Sequence, residues 1–272
     1  MSLVGIGPVV LIGAGKMGMA LARGWVAAGL APADLVLVDP NPAEATVDFA
    51  ESLGIRLEPS PVGVLTQVMV MAVKPQVMSG VLAEAKAAVG RQTLVISIAA
   101  GISIQTIAQG LGTERVIRTM PNTPAQIGKG ITGAVVGFEV SDADRQIADE
   151  LMRAAGPVVW FDNEPMLDAV TAVSGSGPAY VFYLVEALAA AGERQGFSAE
   201  QAMLLARQTI IGAAALLESE GLPASTLREN VTSPHGTTAA ALQVLMADDG
   251  LVRLMDKAVA AARARSEELG RG

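Results

Sequence analysis

The chain has 272 residues, enough for one large domain or two of ordinary size, and its 51% hydrophobic against 17% charged content excludes a disordered chain. A formal charge of −8, no Lys/Arg run and only 3% aromatic residues argue against a nucleic-acid partner. With no cysteine, disulfides, thiolate metal sites and cysteine nucleophiles are excluded, which fits a reducing cytoplasm. The start, Met1–Pro8, has neither a basic n-region nor a long apolar h-region, so no signal peptide is expected. The most apolar helical stretches, 178–191 and 202–217, are interrupted by Glu186 and Arg207. A membrane span needs about 20 nearly uncharged residues. Buried helices in a cytoplasmic protein with no membrane partner are the expectation.

In chain order, Val9–Ile12 reads as a buried strand and Lys16–Ala28 as a helix, then Leu35–Val38 as a strand and Ala43–Leu53 as a helix. Continuous apolar runs at Val68–Val73 and Thr93–Ile98 give two more strands around a helix near Val77–Val89. Strands at Val116–Arg118, Gly133–Gly137 and Pro157–Trp160 close the series. Continuous apolar strands separated by helices predict a parallel sheet covered on both faces.

Between the first strand, ending at Ile12, and the first helix stands Gly13-Ala14-Gly15-Lys16-Met17-Gly18, of the form G-x-G-x-x-G. Gly13 would make the tight turn, Gly15 let backbone reach a pyrophosphate, and Gly18 let the helix lie close to the sheet. In this strand–turn–helix setting the motif predicts a Rossmann-type dinucleotide-binding domain over residues 1–163. Asp39 ends the second strand at the spacing of a ribose-binding carboxylate. It equally suits the start of the Asp39-Pro40-Asn41-Pro42 turn, capping the next helix. Ala72-Val73-Lys74-Pro75 and Ile98-Ala99-Ala100-Gly101 follow later strands, at the carboxyl ends where such sheets bind ligands. Lys74 either faces a ribose or phosphate or is solvated. Pro121-Asn122-Thr123-Pro124 offers a rigid loop with one amide and one hydroxyl.

After Asp162 the strand pattern stops. Pro165–Val173, Ala179–Gln195, Ala199–Glu218, Thr237–Met246 and Leu251–Leu269 read as helices, which makes residues 164–272 an all-helical domain. Segments 202–206 and 209–217 are apolar around much of the helix, so an intersubunit interface is expected there. Val173-Ser174-Gly175-Ser176-Gly177-Pro178-Ala179-Tyr180 places glycines where backbone can approach closely and a proline in the first turn of a helix. On residue types alone it is a tight interhelical turn. Asn230-Val231-Thr232-Ser233-Pro234-His235-Gly236-Thr237-Thr238 gathers hydroxyls, an amide and the chain's one histidine in a loop that ends at a helix start. Free N–H groups and hydroxyls pointing one way suit a carboxylate or phosphate.

Together these segments resemble the pyrroline-5-carboxylate reductase family over nearly the whole chain. The resemblance rests on Gly13–Gly18, Ala72–Pro75, Ala99-Ala100-Gly101, Val116–Pro124, Ser174–Tyr180 and the loop from Asn230 to Thr238. It implies a Rossmann domain followed by a helical dimerisation domain, and a homodimer or higher homo-oligomer. The implied reaction is reduction of 1-pyrroline-5-carboxylate to L-proline by NADPH or NADH. Carried over by position, Ser233, Gly236, Thr237, Thr238 and Ser176 would serve the substrate. Ile12, Gly13, Ala14, Gly15, Lys16, Met17, Gly18, Asp39, Ala72, Val73, Lys74, Pro75, Ile98, Ala99, Ala100, Asn122 and Asn230 would serve the cofactor. No metal is implied.

Two residues depart from the family pattern. His235 stands where a second glycine is usual, and is read as a solvated bystander at a position that wants positive φ. Asp39 stands where members that use NADP carry small polar or basic residues. A β-hydroxyacid dehydrogenase would need a catalytic lysine on the interdomain helices, and residues 165–195 contain none. A cofactor-binding regulator without catalysis would need the glycine turn but not the anion-binding helix start.

Overall fold

The computed structural model describes residues 3–271, which form two compact units. The first is built on β1 (Val9–Ile12), α1 (Lys16–Ala27), β2 (Leu35–Val38), α2 (Glu44–Leu53), β3 (Arg56–Glu58), β4 (Val68–Met71), α3 (Met78–Ala85) and β5 (Leu94–Ser97). It continues through α4 (Ile104–Leu111), β6 (Val116–Pro121), β7 (Thr132–Val136), α5 (Asp142–Arg153), β8 (Val158–Trp160) and α6 (Met166–Val170). Every residue of β1, β2 and β4 is buried, so the strands need cover on both faces. Side chains alternate across the sheet accordingly. Val9, Leu11, Leu37 and Val70 pack with Trp25 of α1, while Val10, Ile12, Met69 and Met71 pack with Met78, Leu82, Ile107 and Leu111.

Strand order among the described residues is β3-β2-β1-β4-β5-β6-β7-β8. From β1 the chain builds outward through β2 and β3. It then returns to β4 on the other side of β1, in register Val9 with Val68 through Ile12 with Met71. The order therefore reverses between β1 and β4, and a crevice opens at their carboxyl ends, as in other doubly wound sheets. This is the Rossmann-type sheet expected from the sequence, with one correction. β6 and β7 pair antiparallel, Ile117 opposite Val136. A strand buried on both faces reads the same whichever way its neighbour runs, so periodicity could not reveal this. The connection from Asn122 to Ile131, a 3-10 turn at Thr123–Ile127 included, is too short for a parallel crossover.

The sequence reading also passed over β3, α4 and α5. Helix α4 is capped by Ser103 and α5 by a reciprocal box of Ser141 and Asp144, a signal legible in the sequence. Burial pushes the Asp144 carboxyl up, but hydrogen bonds from the Ser141 N–H, Arg115 and the Ser141 hydroxyl, with the Arg115 charge, hold it below the ordinary carboxylate value. This ties α5 to the residue preceding β6.

The second unit spans Gly177–Ala261. It holds α7 (Gly177–Arg194), α8 (Ala199–Glu220), α9 (Ala224–Asn230), α10 (Thr237–Leu245) and the larger part of α11 (Leu251–Arg271). The sheet ends at Trp160, whereas the compact units divide between Ser176 and Gly177, and α11 from Ala262 onward belongs to the first. There the Ser266 hydroxyl lies 2.6 Å from Asp168 Oδ1. Helices α7 and α8 meet through Ala189, Ala202, Ala206 and Val185. Much of their apolar surface is uncovered, with Phe182 63% and Leu204 65% exposed. Helix α8 is also long and apolar enough, by length and composition, to cross a membrane, although it contains Arg207.

Candidate active site

At the end of β1 the glycines do what their spacing predicts. Gly13 sits at φ +96°, and a Cβ there would stand 2.8 Å from the Ala72 carbonyl oxygen. A Cβ on Gly18 would stand 2.1 Å from the Gly13 carbonyl oxygen, so only glycine lets α1 start this close to the sheet. Gly15 is different. Its φ of −74° suits any residue, and a Cβ would meet nothing within 4 Å. The space beside it is kept clear of protein, and the helix it caps begins without a side-chain hydrogen bond or an acidic residue in its first turn. Donors of the first turn thus face open space at the positive end of a helix dipole, which fits a pyrophosphate.

A cleft of about 320 Å³ lies there. Gly15, Lys16 and Met17 border it from the first turn, Ala72, Val73, Lys74 and Pro75 from the end of β4, and Ile98, Ala99 and Ala100 from the end of β5. Met120 and Pro121, which lie in the family stretch Val116–Pro124 but are not assigned to the cofactor from sequence, complete the lining from the end of β6. The rule that gave the neighbouring strand ends would have found them. Ile12 is buried, and its carbonyl accepts the Ala72 N–H at 2.7 Å, so it positions the turn rather than lining the cleft. Asp39 anchors the same turn, its Oδ2 accepting the Ala14 N–H at 2.9 Å.

Asn122 does not line the cleft. Its Oδ1 accepts the Ile131 N–H at 2.9 Å and its Nδ2 donates to the Ser174 carbonyl at 3.1 Å. The segment it reaches is not the expected turn. Helix α6 continues through a π-helical stretch, Thr171–Gly175, directly into α7. Pro178 has no N–H for the carbonyl of Ser174 four residues earlier, which leaves that acceptor for Asn122. Gly175 admits Met120, whose Cε would lie 3.0 Å from an added Cβ. Ser176 closes the π-helical stretch, its N–H donating to Thr171 at 2.8 Å, and is half-buried. A π-bulge inside a helix is frequent at functional sites. The Gly-Pro pair was its sequence signal.

The second unit holds the other predicted cluster. Asn230 is the last residue of α9 rather than part of the loop, and Thr232 Oγ1 donates back to the Arg228 carbonyl at 2.6 Å. Ser233–Gly236 forms a turn in which the Gly236 N–H donates to the Ser233 carbonyl at 3.0 Å. That N–H is therefore not one of the free donors expected at this helix start. His235 takes φ +59°, the positive-φ conformation foreseen for its position, and is exposed. Helix α10 then begins from Gly236 with no side-chain cap and no acidic residue in its first turn. The first-turn N–H groups of Thr237, Thr238 and Ala239 have no intrahelical acceptor. Thr238 is half-buried beside them, while Ser233 and Thr237 are exposed.

A family profile described as pyrroline-5-carboxylate reductase dimerisation matches residues 164–269, and one described as NADP oxidoreductase coenzyme F420-dependent matches residues 8–101. The chain is 40% identical over 264 residues to the pyrroline-5-carboxylate reductase of Pseudomonas aeruginosa, covering 96% of each chain. The chain belongs to the pyrroline-5-carboxylate reductase family. The structure of a Coxiella burnetii member is similar with a TM-score of 0.88 at 35% identity, covering 97% of this chain and 98% of that one. A Plasmodium falciparum member, solved with NADP bound, is similar with a TM-score of 0.81 at 29% identity, covering 98% of each chain.

The two kinds of glycine in the turn separate in a mutational test. Gly15→Ala should cost at most about 1 kcal/mol of stability yet weaken reduced-cofactor binding about tenfold or more. Gly18→Ala should destabilise the fold itself by about 2–4 kcal/mol. Thermal melting and cofactor titration read both, and unchanged affinity in Gly15→Ala would remove the turn from the cofactor site.

Proposed function

We propose that this chain reduces 1-pyrroline-5-carboxylate to L-proline with NADH or NADPH, the last step of proline synthesis, and that the following residues carry it. The observation that carries the reading is the cleft at the β1/β4 reversal, bordered by Gly15, where an added Cβ would meet no atom within 4 Å, in a chain of this family. When bound, the reduced nicotinamide supplies the hydride.

The first-turn N–H groups of α1 hold the pyrophosphate, with Lys16 and Lys74 as nearby cations. Ala99 and Ala100 are small, and leave room for a planar ring against backbone. Asn122 acts through its brace on the helix that contains Ser176, and Asn230 is assigned to the cofactor by family position. On the substrate side, the Thr237, Thr238 and Ala239 N–H groups receive the carboxylate, with the Ser233 and Thr238 hydroxyls beside them. Gly236 contributes by an extended backbone that brings the turn onto the helix axis.

The chemistry asks little more of the protein. A protonated cyclic imine is already electrophilic, so hydride adds to its carbon, the C=N π pair moves onto nitrogen and a secondary amine results. Binding and alignment therefore dominate, and no strong acid or nucleophile is required. The Thr238 hydroxyl can hold the ring nitrogen or the carboxylate in place. The reaction draws on the reduced nicotinamide pool, and a cytoplasmic location is part of the proposal.

The dimerisation domain implies self-association, and the uncovered apolar faces of α7 and α8 suit a homodimer or a larger homo-oligomer. Sedimentation at micromolar concentration should give a dimer or larger, and a monomer would refute this. Purified protein should oxidise reduced cofactor when pyrroline-5-carboxylate is added. Thr238→Ala should lower kcat/KM about 10- to 100-fold while cofactor affinity stays within about twofold. Equal loss of cofactor affinity would mean the loop has been assigned the wrong ligand.

A further inference from the structure

We propose that Asp39 makes this chain select NADH over NADPH, an inference that rests on the nucleotide-site reading above. Asp39 directly follows β2, and its N–H donates to the Glu58 carbonyl at 3.0 Å, which fixes its backbone to β3. Its carboxylate is held from two sides. Oδ2 accepts the N–H of Ala14, between the two glycines of the nucleotide turn, and Oδ1 accepts the N–H of Asn41, each at 2.9 Å. The group is half-buried, and prolines on both sides of Asn41 stiffen the loop that follows.

A carboxylate so fixed is an acceptor with capacity left on both oxygens. Ribose carries vicinal hydroxyls that can donate to it. A 2′-phosphate has no such proton to offer and brings close to two negative charges. The loop that follows supplies no compensating cation, and Lys16 and Lys74 are the cations assigned above to the pyrophosphate. Residues 40–44 are Pro-Asn-Pro-Ala-Glu, without a lysine or arginine, and Glu44 adds a second carboxylate in the first turn of α2. A cation does reach α2 from α1, but Arg23 lies 4.4 Å over the Phe49 ring and donates to the Ala45 carbonyl at 3.4 Å. Of the turn-and-cap reading of Asp39 the turn is present, through the bond from Asn41, but the cap is not, since α2 starts from Ala43 with no side-chain cap bond. The turn-forming bond fixes the carboxylate proposed to meet the sugar.

Equilibrium titration of the full-length protein with NADH and with NADPH tests this without substrate. NADH should bind about tenfold or more tightly than NADPH, and added salt should narrow the gap by screening. Asp39→Asn keeps volume and one acceptor but removes the charge, and should move the affinity ratio about tenfold toward NADPH. Should that variant fold poorly, 2′-deoxy-NADH on the unaltered protein decides, because loss of the hydroxyl should weaken binding severalfold. Equal or tighter NADPH binding, a ratio unmoved by Asp39→Asn, or undiminished binding of the deoxy analogue would overturn the proposal. Binding of neither cofactor would reject the nucleotide site and this proposal together. NADH selectivity without turnover of pyrroline-5-carboxylate would leave this proposal standing and reject the reaction.

Discussion

The close approach of Gly18 to the Gly13 carbonyl fixes where α1 begins and, with it, the nucleotide turn. With a Cβ only 2.1 Å from that oxygen, any other residue would push α1 off the sheet. The helix instead starts where β1 stops, and its uncapped first turn faces the point where strand order reverses. Sheet burial supplies the stabilising free energy, through strands enclosed on both faces. The glycines convert it into a fixed geometry. Asp39 locks the turn from β2, the Ala72 N–H locks it from β4, and the cleft follows from those two hydrogen bonds.

Helix starts differ among the described residues, and α2, α3, α6 and α9 begin at Ala43, Val77, Pro165 and Pro223 without a side-chain cap bond. Helices α4, α5 and α8 begin with Ser103, Ser141 and Ser198, whose hydroxyls accept an N–H of their own first turn. Such a cap is worth about 1 kcal/mol. Helices α1 and α10 begin with Gly15 and Gly236, extended in backbone and making no side-chain cap bond. Among the uncapped starts, these two are glycines in extended backbone, one in each compact unit. The family reaction needs one anion site for a pyrophosphate and another for a carboxylate, and these two helix starts are the ones proposed for them.

Much of this was legible in the sequence because it depends on local chemistry. Apolar runs gave the buried strands, G-x-G-x-x-G gave the turn, and the strand ends at Ala72–Pro75 and Ile98–Ala100 gave most of the cleft. His235 was expected at positive φ, and it is. What escaped depends on partners distant in the chain. The direction of β7 beside β6 leaves no mark in an apolar run. Asn122 looked like a ligand residue because its two partners, Ile131 and Ser174, cannot be read from its neighbours. The Ser174–Tyr180 segment looked like a turn, because glycine and proline mark turns far more often than a π-bulge within a helix. The Gly236 N–H looked free until the Ser233 turn was visible.

We propose that the chain moves a hydride directly to the imine carbon of a substrate held by its carboxylate. Incubation with pyrroline-5-carboxylate and NADH deuterated at the reactive C4 position, followed by mass and NMR analysis of the product, tests it most directly. The product should be L-proline heavier by one deuterium, with the label on the ring carbon next to nitrogen that was the imine carbon. Unlabelled proline from donor deuterated at both C4 positions, or no proline at all, would contradict it.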